Sequence, residues 1–143
     1  MRRMVLAASG VVLGAALMVQ MTVVRAEQPQ DAAMLDTTMK TVGASFGATR
    51  KALGGGMMAE AKTGADALSK AFVETEAFFK SHGKADGVEW AQGAKKAADA
   101  IAAATTAEAA TAAAGELGKF CAGCHAKYRD KAADGGFSYK PGN

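Results

Sequence analysis

Residues 91–114 read AQGAKKAADAIAAATTAEAATAAA, and alanine occupies 14 of these 24 positions. Alanine has the highest intrinsic helix propensity of all residues, so both halves of this stretch favour α-helix. Thr105 and Thr106 interrupt the alanines, and either hydroxyl can cap the helix that follows. The stretch therefore predicts one helix that ends near Ala104 and a second helix that begins after the two threonines.

Glycine clusters divide the rest of the chain into segments of similar length, and no segment shows the alternating pattern of a strand. The predicted helices cover about Asp31–Leu53, Met57–Lys80, Val88–Ala104 and the residues from the threonines to about Ala133. Four helices with short links predict an all-α fold, an antiparallel up-down-up-down four-helix bundle. Residues 134–143 are expected to form a loose tail.

The N-terminal residues have a different character from the rest. Arg2-Arg3 precedes an apolar run from Met4 to Val19, and Val24-Arg25-Ala26 provides aliphatic or small residues at the −3 and −1 positions of a cleavage site. This layout is typical of a secretory signal peptide. The apolar run is shorter than the roughly 18 unbroken residues expected of a spanning helix, although an uncleaved anchor is the alternative. We therefore expect residues 1–26 to be removed, leaving a domain over 27–143 with no stable membrane anchor.

The composition of residues 27–143 limits both its partners and its core. Without the three arginines of the signal peptide, this part has 14 basic and 14 acidic residues, so nothing points to nucleic acid. Leucine, isoleucine, valine and phenylalanine together supply only 14 of its 117 residues. Such scarcity indicates disorder only when net charge is high. Since alanine buries little area, either the domain is marginally stable or something other than side chains fills its interior.

Residues 121–125 read CAGCH, and C-x-x-C-H is the attachment signature of c-type haem. On a helix, Cys121 and Cys124 share a face, so their thiols can add to the two vinyl groups along one porphyrin edge. His125 lies on nearly the same face and can place a ring nitrogen under the iron. Gly123 is expected to leave room for the macrocycle. The motif therefore predicts one covalent haem c, which would also fill the interior that the alanines leave empty.

Other interpretations of the two cysteines are weaker. A thioredoxin-like C-x-x-C is expected near a β-α-β pattern, which this chain lacks. A disulfide in an oxidising compartment would leave His125 unexplained. A zinc site needs four ligands, which Cys121, Cys124, His125 and His82 could supply. His82, however, lies in a polar link flanked by glycine, where we expect a solvent-exposed histidine.

The motif continues as Ala126-Lys127-Tyr128-Arg129, and at this point the chain resembles the class II c-type cytochromes, which include cytochrome c′ and the low-spin cytochromes c556. In that family the haem motif lies on the last helix of a four-helix bundle and continues as C-H-x-x-[YF]-R. Val88-Glu89-Trp90 is similar to the start of the family's third helix. Met39-Lys40-Thr41-Val42-Gly43 is similar to the segment on the distal side of the haem. The resemblance covers the whole of residues 27–143.

The resemblance implies that His125 is the proximal iron ligand, that Cys121 and Cys124 form thioether bonds, and that Arg129 lies near the haem. Helical spacing agrees, because Arg129 follows His125 by four residues. Its guanidinium could pair with a propionate or with the backbone, and would then raise the reduction potential. The alternative is a solvated arginine that interacts favourably with the helix dipole. Tyr128 is expected to pack rather than to take part in chemistry.

The sixth position on the iron decides the function within this family. A methionine there implies a six-coordinate, low-spin electron carrier, whereas a non-ligating residue implies a five-coordinate, high-spin cytochrome c′ that binds nitric oxide or carbon monoxide. Met39 is our candidate ligand, although a methionine on an apolar stripe is often only filler. An alignment anchored on Phe46-Gly47 instead places Val42 at the distal position. Met34, Met57 and Met58 lie nearer helix ends and are weaker candidates.

These observations predict a periplasmic cytochrome that carries single electrons between redox partner proteins. Lys119, Lys127 and Lys131 flank the motif, where they could steer an acidic partner or merely form a solvated face. We find no nucleophile–base pair and no paired catalytic carboxylates, so no enzymatic activity is expected. Members of the family often form homodimers through their first two helices, and the resemblance admits a homodimer here.

Overall fold

The computed structural model of this chain describes residues 29–131, 133 and 136–141. The signal peptide predicted for residues 1–26 lies outside that range. Within it, four α-helices confirm the predicted helical fold: α1 (Pro29–Gly54), α2 (Met58–Ser81), α3 (Ala85–Ala103) and α4 (Ala107–Tyr128). No helix in this described part combines the length and apolar character needed to span a membrane.

The links between the helices are short, and the sequence explains their geometry. Gly56 and Gly83 adopt positive φ angles of 71° and 67°, which glycine reaches without steric cost, and they end α1 and α2. At the start of α4, the Thr106 hydroxyl accepts a hydrogen bond of 3.2 Å from the backbone N–H of Ala109. Thr106 is therefore the cap, rather than Thr105. Helix α3 begins at Ala85, before the predicted Val88.

Each helix packs mainly on the next one along the chain, so α1 lies on α2, α2 on α3, and α3 on α4. Because each link has only three residues, successive helices must reverse direction to pack in this way. Helices α1 and α4 make few contacts with each other. The bundle is therefore open along the side between α1 and α4.

The core consists of two clusters with different composition. The larger cluster combines alanines with a few large side chains, of which Leu68, Ile101 and Leu117 are fully buried. The smaller cluster lies near the end of α4, is mostly aromatic, and consists of Leu35, Phe78, Phe79 and Tyr128. Alanine allows close approach of the helices but supplies little volume, so large residues fill the core only in places.

The C-terminal segment differs from the sequence-based expectation. Helix α4 ends at Tyr128 instead of near Ala133, and the chain continues as a strand, β1 (Arg129–Lys131). A second strand, β2 (Phe137–Tyr139), pairs with it in antiparallel register, so part of the expected loose tail over 134–143 is ordered.

Aromatic packing explains why this short hairpin forms. The Tyr139 ring stacks on the ring of Tyr128, with 6.0 Å between centroids and 17° between planes. It also meets the ring of Phe78 edge-on, with centroids 5.0 Å apart. The backbone N–H of Lys140 donates a 3.0 Å hydrogen bond to the carbonyl of Tyr128. The tail is therefore anchored by the packing of the partly buried Tyr139 against the aromatic cluster, which local strand propensity does not report.

Gly87→Ala should destabilise the fold by roughly 1–3 kcal/mol, because a Cβ at this position would collide with the fully buried ring of Phe79. Gly115→Ala is the matched control. A Cβ there meets no neighbour, and alanine should stabilise the helix by about 0.4–1 kcal/mol. Urea unfolding followed by circular dichroism measures both changes. Equal stability of the two variants would contradict the packing of α2 on α3 described above.

Candidate functional site

A cavity of about 410 Å³ lies between α1 and α4, where the bundle is open. Its size falls within the range of roughly 300–1,000 Å³ seen for cofactor sites. Helix α1 contributes one wall, α4 the facing wall, and the hairpin closes one end. The principal lining residues are Leu35, Met39, Val42, Phe46, Phe79, Cys121, Cys124, His125, Tyr128, Arg129, Phe137 and Tyr139. The cavity therefore brings together candidate residues that are far apart in the sequence, from the first helix and from the last helix.

The two cysteines lie one helical turn apart on the wall formed by α4. Both are free thiols and both are partly buried. Burial raises the pKa of Cys121 above its usual value. The pKa of Cys124 rises to about 12, chiefly through burial and further through the nearby charges of Cys121 and Asp86. Both thiols are thus protonated at neutral pH when no metal is bound, a state unsuited to rapid disulfide exchange.

His125 lies between the cysteines and the hairpin and is partly buried. Burial, followed by the positive charge of Arg129, lowers the pKa of its imidazole. The ring is therefore neutral at pH 7, which is the form that binds metal ions. The ring also borders an open groove on the outer side of α4, lined in part by Ala122 and Ala126.

Helix α1 presents both candidate distal residues to the cavity. Met39 is partly buried and packs against both core clusters, while Val42 is 7% exposed. Among the described cavity-lining residues, Met39 is the one methionine. Met34 is 53% exposed and Met57 is also exposed, in agreement with their lower rank as candidates. The structure thus places Met39 and Val42 on the same wall and leaves both as candidates.

Arg129 lies at the edge of the cavity, where α4 passes into β1. Its backbone N–H donates to the carbonyl of His125, and its guanidinium carbon lies 4.0 Å from the centroid of the Phe137 ring. This distance indicates a cation–π contact. The guanidinium therefore has a defined position beside the cavity, close to where an anionic group of a bound ligand could reach it.

Asp86 is a functional candidate that the sequence analysis missed. Its carboxylate accepts a 2.7 Å hydrogen bond from the hydroxyl of Tyr128 and forms a 2.6 Å ion pair with Lys127. The hydrogen bonds from Lys127, then from Tyr128, lower the pKa of Asp86 to about 2. Asp86 precedes Lys127 by 41 positions and Tyr128 by 42 positions, so no local sequence pattern could have indicated these contacts.

Two further sequence-based expectations need correction. A Cβ at Gly123 would lie 3.2 Å from Nε1 of Trp90, so this glycine makes room for α3 and not for the cavity. The side chain of His82 is only 15% exposed, and its ring stacks on Phe78 with centroids 4.2 Å apart. His82 was expected to be exposed to solvent. Its stacking on the buried ring of Phe78 explains why most of the side chain is covered.

The four-ligand zinc site considered above does not form. His82 does not line the cavity that contains Cys121, Cys124 and His125. Across the described ranges, no group of three or more histidine, cysteine, aspartate or glutamate residues could hold a metal ion. A metal bound by His125 would need its remaining ligands from a bound cofactor or from Met39 on the facing wall.

The chain matches no protein-family model, no curated protein and no solved structure. The resemblance to class II c-type cytochromes therefore stays a prediction that rests on the residues quoted above.

The contribution of Asp86 to stability should depend on pH. An unfolded aspartate has a pKa of about 3.9, and the folded value is lower, so the contribution is complete above pH 4 and is lost as the pH falls towards 2. The difference in unfolding free energy between the wild type and Asp86→Asn should shrink over that interval. Asp66→Asn, which changes an exposed carboxylate of α2, serves as the control. A difference that stays constant between pH 6 and pH 2 would contradict this assignment.

Proposed function

We propose that this protein is a periplasmic c-type cytochrome that carries single electrons with one covalently bound haem c. The observation that carries this proposal is the position of the C-x-x-C-H residues. Cys121, Cys124 and His125 line an apolar cavity, and Met39 and Val42 line its facing wall. The predicted signal peptide supports export to the periplasm, where c-type cytochromes are matured.

The residues of the cavity fit the group that the motif implies. Two free thiols lie one helical turn apart, and an imidazole follows them on the same wall. Cys121 and Cys124 would hold the haem, and His125 would be its proximal ligand. When bound, the haem iron supplies the one-electron chemistry. The apolar lining would exclude water, and this raises the reduction potential because it disfavours the more highly charged state of the centre.

Arg129 would tune the same centre from its edge. A cationic guanidinium beside the cavity stabilises the more negative, reduced state and therefore raises the potential. Its contact with Phe137 restricts the guanidinium to one side of α4, so little entropy is lost if it also pairs with an anionic group of the cofactor.

Met39 is the distal ligand in this proposal. Its thioether is partly buried and belongs to the cavity wall that faces His125. Thioether coordination favours low-spin iron and a high potential, which suit electron transfer.

A second function follows if Val42, and not Met39, faces the iron. Val42 is buried, lines the same wall and cannot coordinate a metal. The protein would then be a five-coordinate cytochrome c′ that binds nitric oxide or carbon monoxide on the open side.

Two of the three lysines that flank the motif are paired with acidic side chains, which makes them weaker candidates for steering a redox partner. Lys127 is paired with Asp86, and Lys119 with Glu116. Each pair largely cancels its own charge. Lys131, which follows Arg129 on β1, is therefore the better candidate for attracting an acidic partner protein.

Covalent haem is the first test of the proposed function. Protein matured in cells with haem-attachment machinery should gain the mass of one haem per chain and retain it after denaturation. The double variant Cys121→Ala/Cys124→Ala should lose this covalent mass, because no thiol is left to bind the vinyl groups. Intact-protein mass spectrometry measures both. A wild-type chain of unmodified mass would refute the proposal.

The distal ligand is tested by Met39→Ala, which should convert low-spin iron to high-spin iron because the thioether is removed. Met34→Ala, at an exposed position of the same helix, is the matched control and should leave the visible spectrum unchanged. An unchanged spectrum in Met39→Ala would exclude ligation by Met39. A high-spin wild-type spectrum that responds to carbon monoxide after reduction would instead support the cytochrome c′ alternative.

A further inference from the structure

The last turn of α4, which carries His125, receives little support from α1. Helix α1 makes few contacts with α4, and the cavity separates the two helices beside His125. The imidazole ring of His125 projects from this turn into the cavity. The orientation of the ring therefore depends on how firmly the helix backbone beneath it is held.

Asp86 holds this turn at two points. One carboxylate oxygen accepts the Tyr128 hydroxyl at 2.7 Å, and the other accepts the Lys127 ammonium group at 2.6 Å. Successive side chains on a helix diverge by about 100°, so two neighbours that converge on one carboxylate restrain rotation of the helix about its axis. The backbone N–H of Gly87 also donates to the Asp86 carboxylate at 3.0 Å, which fixes the carboxylate itself at the start of α3.

Packing around Tyr128 reinforces the same support. The side chain is 4% exposed, and its ring lies 4.8 Å from Phe79 and 6.0 Å from Trp90, measured between centroids. Gly123 allows Trp90 to approach α4 closely, one turn before Tyr128. Helix α3 thus supports the C-terminal turns of α4 at Gly123 and at Tyr128.

We propose that Asp86 is a positioning residue for His125: by binding Lys127 and Tyr128 together, it fixes the rotation of the last turn of α4 and hence the direction in which the imidazole enters the cavity. The inference rests on the proposed function, because it treats His125 as the proximal ligand of a bound haem. It goes beyond that function by assigning a role to Asp86, a residue of α3 that does not itself line the cavity.

The deciding variant is Tyr128→Phe, which keeps the aromatic ring and the net charge but removes the hydroxyl that binds Asp86. Asp86→Asn alone would be ambiguous, because it removes a negative charge and alters the bonds to both Lys127 and Tyr128 at once. In the haem-loaded protein, Tyr128→Phe should broaden the ferric electron paramagnetic resonance signal, since the imidazole then occupies a wider range of orientations. Asp86→Asn should produce the same broadening, and the double variant should add little to either.

Asp99→Asn is the matched control, because Asp99 also accepts a lysine ammonium group and a hydroxyl, from Lys95 and Ser69, but makes neither bond to α4. It should lower the unfolding midpoint without changing the resonance signal. A signal in Tyr128→Phe that matches the wild type would overturn the inference while leaving the proposed function intact. Equal broadening in Asp99→Asn would also overturn it, because any loss of stability would then suffice. A wild-type protein without covalent haem would overturn both proposals.

Discussion

The small volume of the alanine side chains is the constraint on which the rest of this structure depends. Ala65, Ala98 and Ala110 are completely buried at helix contacts and allow α2, α3 and α4 to pack closely in sequence order. The same small side chains cannot fill the space between α1 and α4, where the bundle stays open. A cavity with apolar walls is therefore a direct result of composition, and the motif of α4 lies on one of those walls.

Each helix contributes a different part of the candidate site. Helix α4 supplies thiols and imidazole at helical spacing, α1 supplies the facing wall, and α3 holds α4 in place through Asp86 and Trp90. The hairpin adds Arg129 and an aromatic boundary at one end. Asp86 does not itself line the cavity, but it binds Tyr128, which does, so the support from α3 acts directly on the cavity wall.

Much of the fold and part of the site followed from sequence, and the limits have physical causes. Helix-favouring composition, two glycine links and the Thr105-Thr106 break located all four helices, and the spacing of Cys121 and Cys124 placed them on one face. That Met39 and Val42 would face this motif came only from the family resemblance. The hairpin was missed because its strands are short and depend on Tyr139 stacking against Tyr128. The contacts of Asp86 and Gly123 join residues on two different helices, α3 and α4, and periodicity within one helix carries no information about them.

The open side of the bundle has a consequence for the order in which the domain can open. Helix α3 is held by a neighbour on each side, whereas α1 rests mainly on α2. Local unfolding follows the weakest set of contacts, so displacement of α1 or of α4, each held mainly by one helix, costs less free energy than displacement of α3. A hinge-like departure of α1 would expose the thiols of α4 while the other three helices stay packed. A rigid, flat cofactor could then enter the cavity, and α1 could pack over it again, without global unfolding of the domain.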